Sequence, residues 1–196
     1  MIPKALTRRQ FLLRQVADAT GCPLPTIRLW INRDIPGFKI PRETREMPYQ
    51  LTAVEVATLA VLWRCTRVGL TPGWVTEHVS NVRDHLAGMF EIIDMAREDL
   101  APGEDPEYPP ALGTRRLVIY FDPTRTDDGA TGFKMVSGER DSWDQLRPTT
   151  AVVVELDAII LDTLARLDLL DEVPEPIRQR QRTSELLPEL ARETGH

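Results

Sequence analysis

The sequence has little sulfur chemistry to offer. Cys22 and Cys65 are its only cysteines in 196 residues. Two cannot build a disulfide framework or a four-cysteine zinc site, and a reducing cytosol is the simplest expectation for such a chain. No apolar run approaches the roughly 18 residues that a membrane-spanning helix needs. Met1–Gln10 holds no apolar core of signal-peptide length, so a cytoplasmic rather than a secreted protein is expected. There is no glycine-rich phosphate loop and no nucleophile elbow. His78 and His85 stand seven apart with no cysteine pair near them, so no metal is expected. Residues 122–129 lack the alternating oxygen ligands and closing Glu of a calcium loop. The Asp127-Asp128 pair sits in a loop without a supporting base. These absences argue against an enzyme, and neither a catalytic residue nor a cofactor is assigned.

What is present is an ordinary globular composition, 42% hydrophobic and 28% charged, of a length for one domain or two small ones. Charge is unevenly placed. Residues 1–80 carry 11 basic and 6 acidic side chains, while residues 81–196 carry 13 and 24, for a net of −6. A basic N-terminal part on an acidic remainder points toward a polyanion as the partner of the first part. The alternative is two solvated surfaces of different composition.

Helical spacing of Leu12, Leu13, Val16, Ala17 and Thr20 predicts a helix over Arg9–Thr20, ended by a left-handed Gly21. After the tight Cys22-Pro23 connection, Pro25 opens a second helix, Pro25–Arg33, with Ile27, Trp30 and Ile31 inward. Residues 34–49 hold four breakers, Pro36, Gly37, Pro41 and Pro48, and read as an extended loop or short β-wing. Thr52 and Glu55 have the spacing of a capping box. The helix behind it points Val56, Leu59, Ala60, Trp63 and Thr66 to one side and stops at Gly69. Trp30 and Trp63 are expected in the core.

Thr71-Pro72 restarts a helix. Val75, Val79, Val82, Leu86, Met89, Ile93, Ala96 and Leu100 then alternate spacings of four and three, the seam of a coiled coil. Ser80-Asn81 is a point where this helix can break. A proline-rich linker covers 101–114. Strands are expected at Arg116–Phe121, Phe133–Val136 and Ala151–Val154, then a helix with Leu156, Ile159, Ile160, Thr163, Leu164 and Leu167 on one stripe.

The order of these elements is that of a winged helix-turn-helix. The run LRQVADATGCPLPTIRLWINRDIPG resembles the DNA-binding start of MerR-type transcription regulators: Ala17, Gly21, Pro25, Thr26, Ile27, Arg28 and Trp30 stand where that family has its motif. YQLTAVEVATLAVLWRCTRVGLTPGWV resembles the family's second half, and the seam from Val75 to Leu100 falls where such regulators place an antiparallel dimerisation helix. The resemblance covers residues 11–100. Leu29 stands where the family has an aromatic residue, Tyr49-Gln50-Leu51 replaces an Arg-x-Tyr, and the 34–48 loop is longer and richer in proline. The family's metal sensing uses cysteines late in the dimer helix. None follows Cys65, so sensing does not carry over.

The expected architecture is thus mainly α with a small α+β C-terminal unit. A winged helix-turn-helix spans 8–80, a dimerisation helix 82–100, an α+β unit 114–170 and a partly disordered tail 171–196. The expected function is a dimeric, sequence-specific transcription regulator that binds double-stranded DNA. The alternatives are an excisionase-like or phage-packaging accessory protein using the same module, and an adaptor that never meets DNA. The expected contacts are Arg14, Thr26, Arg28, Asn32 and Arg33 from the helices and Lys39, Arg42 and Arg45 from the wing, with Arg8 and Arg9 also flanking the first helix. Against these stand plainer roles: Arg28 as a salt-bridge partner of Asp18, the wing bases as solubilising charges, and the seam as an internal packing stripe. The C-terminal unit offers room for a protein partner or a small molecule, and a membrane partner is not expected.

Overall fold

The computed structural model describes residues 2–35, 40, 44, 48–78, 82–98, 116–121, 131–136 and 151–178. Lys39, Arg42 and Arg45 of the expected wing, the proline-rich linker, Asp127-Asp128 and the tail beyond 178 lie outside the described residues. The architecture is mainly α with small antiparallel β elements. The chain divides into two compact units, Met1–Met95 with Ile159–Glu172, and Ala96–Ala158 with Val173–His196.

In the first unit the order is α1 (Lys4–Thr7), β1 (Phe11–Leu12), α2 (Leu13–Thr20), α3 (Leu24–Asn32), β2 (Gln50–Leu51), α4 (Ala53–Arg67) and α5 (Pro72–His78), followed by α6 (Val82–Glu98) as far as Met95. The helix expected over Arg9–Thr20 begins only at Leu13. Phe11 and Leu12 instead pair antiparallel with Leu51 and Gln50. Pairing turns Phe11 and Leu13 inward and leaves Leu12 43% exposed, because neighbouring residues of a strand face opposite ways.

The core is built around α4. Ala53, Val54, Val56, Ala57, Leu59, Ala60, Val61, Leu62 and Cys65 are all buried, so α4 is covered nearly all round rather than along the one stripe expected. Helices α1, α2 and α5 pack on it. Its start is the expected capping box: Thr52 Oγ1 accepts the Glu55 N–H at 3.1 Å and Glu55 Oε2 accepts the Thr52 N–H at 2.7 Å. Arg9 then grips the same carboxylate. Its Nη2 donates to Glu55 Oε1 at 2.8 Å, and its Nη1 to Glu55 Oε2 at 3.2 Å and to the Gln50 carbonyl at 2.8 Å. One carboxylate therefore caps α4 and ties the segment before β1 to β2. Arg9, a candidate flank for DNA, is occupied inside the fold. Glu55→Ala removes cap and ion pair together and is expected to lower stability by about 1–3 kcal/mol, read as a lower urea midpoint at unchanged slope.

Trp30 is buried, with its ring 6.2 Å from that of Trp63 at 57°. Trp63 itself is only half-buried, and the Arg67 guanidinium lies 5.8 Å from its ring centre, a cation–π contact. Cys22 and Cys65 are buried and unpaired with each other. Burial pushes the Cys22 thiol up to about 12 and the Cys65 thiol to about 11, from an ordinary 9.0. Both folded-state values are raised, so the stability they confer is complete below pH 9 and is lost as pH climbs toward 11–12. Neither thiol is expected to react with a thiol reagent at pH 8 until the protein is denatured.

Helix α5 has the Thr71-Pro72 start, with the Trp74 N–H 3.4 Å from Thr71 Oγ1. Val79 of the expected seam and the Ser80-Asn81 break point lie outside the described residues. The seam's early members Val75, Val82 and Leu86 are buried in the chain.

In the second unit β3 (Arg116–Phe121) is the middle strand of a three-stranded antiparallel sheet. It pairs with β4 (Thr131–Val136) on one edge and β5 (Ala151–Glu155) on the other, with Ile119 opposite Phe133 and Val152. Helix α7 (Leu156–Arg166) follows β5 directly in the chain, and from Ile159 onward it belongs to the first unit. The first strand falls where the sequence places it, β4 begins two residues before the expected Phe133, and β5 runs one residue past the expected Val154.

Candidate nucleic-acid interface

Three residues separate α2 from α3, and their geometry is fixed from within. Gly21 takes φ 68°, with its N–H on the Ala17 carbonyl at 2.9 Å. This is the left-handed conformation that glycine adopts at least cost. Thr20, buried, donates its hydroxyl to the Val16 carbonyl at 2.8 Å and accepts the Cys22 N–H at 3.1 Å. Pro23 then accepts the Ile27 N–H at 3.1 Å and starts α3. The turn is set by Thr20 and Gly21 together, a role for Thr20 beyond its expected place on the apolar face.

Helix α3 has two sharply different sides. Ile27 is 0% and Trp30 5% exposed, while Pro25, Arg28, Leu29, Asn32 and Arg33 are exposed. At about 100° per residue those five fall on one arc opposite Ile27 and Trp30. Thr26 and Ile31 lie at its two edges and are half-buried. Ile31 is thus a margin residue, not the inner one expected. Helix α3 contains no Asp or Glu.

The end of α3 is a Schellman turn. The Asp34 N–H bonds the Ile31 carbonyl at 3.1 Å and the Ile35 N–H the Trp30 carbonyl at 3.0 Å, with Asp34 at φ 54°. Thr76 Oγ1 lies 2.6 Å from the Ile35 carbonyl and holds this exit to α5. Asn32 is tied as well: its Oδ1 accepts the Tyr49 hydroxyl at 3.1 Å. A carboxylate in a left-handed position at a helix C-terminus is unfavourable on both counts. Asp34→Gly is expected to raise stability by about 0.5–1 kcal/mol, seen as a higher thermal midpoint.

Of the residues expected to bind, Arg28, Asn32 and Arg33 share the exposed arc of α3. Thr26 sits at its edge, and Arg14 is exposed on the neighbouring α2. Leu29, 45% exposed in the same arc, and Asn32's tie to Tyr49 were not anticipated. Leu29 was findable from helical spacing alone, since it falls opposite Ile27 and Trp30. The Tyr49 contact joins residues 17 apart through a proline-rich loop and has no local signal. Among the described residues no group of His, Cys, Asp and Glu is arranged to hold a metal ion, and no helix is long and apolar enough to cross a membrane. Comparison with models of known protein families yields no match to this chain, and comparison with curated proteins yields none either.

Proposed function

We propose that this protein binds double-stranded DNA through a winged helix-turn-helix, with α2 as the supporting helix and α3 as the recognition helix, and that it acts as a dimeric, sequence-specific transcription regulator of MerR-like type. The observation that carries the reading is the outer arc of α3. It offers Arg28 and Asn32 on the helix and Arg33 at its C-cap, has no carboxylate before Asp34, and is held in position by Ile27 and Trp30 in the core. A helix presented in this way fits the major groove, where side chains reach base edges. The three-residue turn and the excess of basic residues before position 80 support it.

In this account Arg28 reads a base edge, and Arg14 and Arg33 contact phosphates. Thr26 and Asn32 meet the groove wall, and Lys39, Arg42 and Arg45 follow the backbone or the minor groove beside it. A second copy docks along the later part of α6, where Met95 is 61% exposed. The two recognition helices then meet the halves of a near-palindrome.

The test is binding of the full chain to duplex DNA across a salt series. About four to six phosphate contacts per subunit predict a fall in affinity of nearly one power of salt concentration for each contact. Mass measurement of the complex should give two chains per site. A chain that retains no duplex at about 50 mM salt overturns the reading.

A further inference from the structure

We propose that the outer arc of α3 reads guanine and thymine next to each other on one strand, with Leu29 against a thymine methyl group. This rests on α3 being the recognition helix. The hydrogen-bonding capacity of the arc is weighted toward donors. Guanidinium groups only donate, and Arg28 and Arg33 are two of its five residues. Pro25 and Leu29 have no polar side-chain atom. The oxygen of Asn32 already accepts the Tyr49 hydroxyl, which leaves one lone pair and the two NH2 donors for a ligand. No Asp, Glu or Gln lies on α3. On adjacent α2, the Gln15 side-chain oxygen accepts the Leu12 N–H at 2.9 Å. The exposed carboxylates of Asp18 and Asp34 lie outside α3.

A face of donors is complementary to bases that show acceptors. In the major groove guanine shows N7 and O6, and thymine shows O4 beside its methyl group; adenine and cytosine each place an amino donor there. Such a donor set against Arg28 or Arg33, which only donate, meets no partner there and loses its water. Leu29 sharpens the choice. A single exposed leucine is common on protein surfaces, but this one lies between Arg28 and Arg33 on the arc. Against a polyanion with basic residues on both sides, the apolar feature within reach of the groove floor is the thymine methyl.

The experiment starts by selecting duplexes from a random pool with the full chain, then replaces single bases in the selected site. Half-sites should be enriched in adjacent G and T on one strand. Deoxyuridine in place of the contacted thymine removes only the methyl group. It should weaken the wild-type protein about fourfold and leave Leu29→Ala indifferent. Replacing the contacted guanine with 7-deazaguanine should weaken the wild type on the order of tenfold and leave Arg28→Ala indifferent. Circular dichroism of both variants should match the wild type, because both side chains are exposed.

Half-sites with no enriched step of G and T on either strand, a wild type indifferent to uracil at every thymine, or a Leu29→Ala protein that still feels the missing methyl each overturn the proposal. Salt-dependent binding with no preferred bases overturns it while leaving DNA binding intact. No binding at all removes both.

Discussion

Arg28→Glu should cut affinity for the selected duplex on the order of a hundredfold or more, while the unfolding transition moves by no more than about 0.5 kcal/mol. Loss of a bidentate contact to a base edge is worth about 1–3 kcal/mol, and the new carboxylate adds repulsion from the phosphates. The fold is spared because Arg28 is exposed, and exposed ion pairs contribute little. Arg28→Lys separates charge from geometry. It keeps the cation and loses the planar fork, so it should retain phosphate-driven, sequence-independent affinity and lose discrimination between sites. Both are read by fluorescence anisotropy on matched specific and scrambled duplexes. A charge-reversed protein that binds as well as the wild type would remove Arg28 from the interface.

The largest effect on stability is expected at the centre of α4. Leu59 is 0% exposed and sits in a helix packed by α1, α2 and α5, so Leu59→Ala leaves a cavity that no flexible surface can close. Such changes cost about 2–5 kcal/mol, and the thermal midpoint should fall by roughly 2–4 °C for each kcal/mol. Because α4 supports α2, which carries α3, the variant should lose DNA binding at the temperature where it unfolds and bind normally below it. Arg28→Glu shows the opposite pattern, with intact folding and failed binding at all temperatures. Comparing the two separates the helix that reads from the helix that holds.

The parts of this molecule that local chemistry decides were readable in advance. Thr52 and Glu55 are three apart, and a capping box needs nothing else. Gly21 supplies the left-handed residue of the turn. The strand at Arg116–Phe121 announces itself through β-branched and aromatic residues. What stayed hidden is set by residues far apart in sequence. Phe11 and Leu12 leave the helix because Gln50 and Leu51 offer them a partner strand, and Arg9 turns inward because Glu55 waits 46 residues away. The wide burial of α4 exceeds a single stripe because Val54, Ala57 and Val61, which flank the Val56–Leu59–Ala60 face, are covered as well. At the candidate interface, Arg28 and Arg33 could be placed from their spacing to Ile27 and Trp30. The bond from Tyr49 to Asn32 depends on how the loop returns, which no short-range pattern encodes.

The most direct test of α3 as a helix seated in the major groove is chemical protection of guanine N7, which faces that groove, by the bound full-length protein. The account predicts dimethyl sulfate protection of one or two guanines in each half-site, lost in Arg28→Ala at protein concentrations that still saturate the duplex. Full methylation at every guanine under a saturating wild-type protein would contradict it.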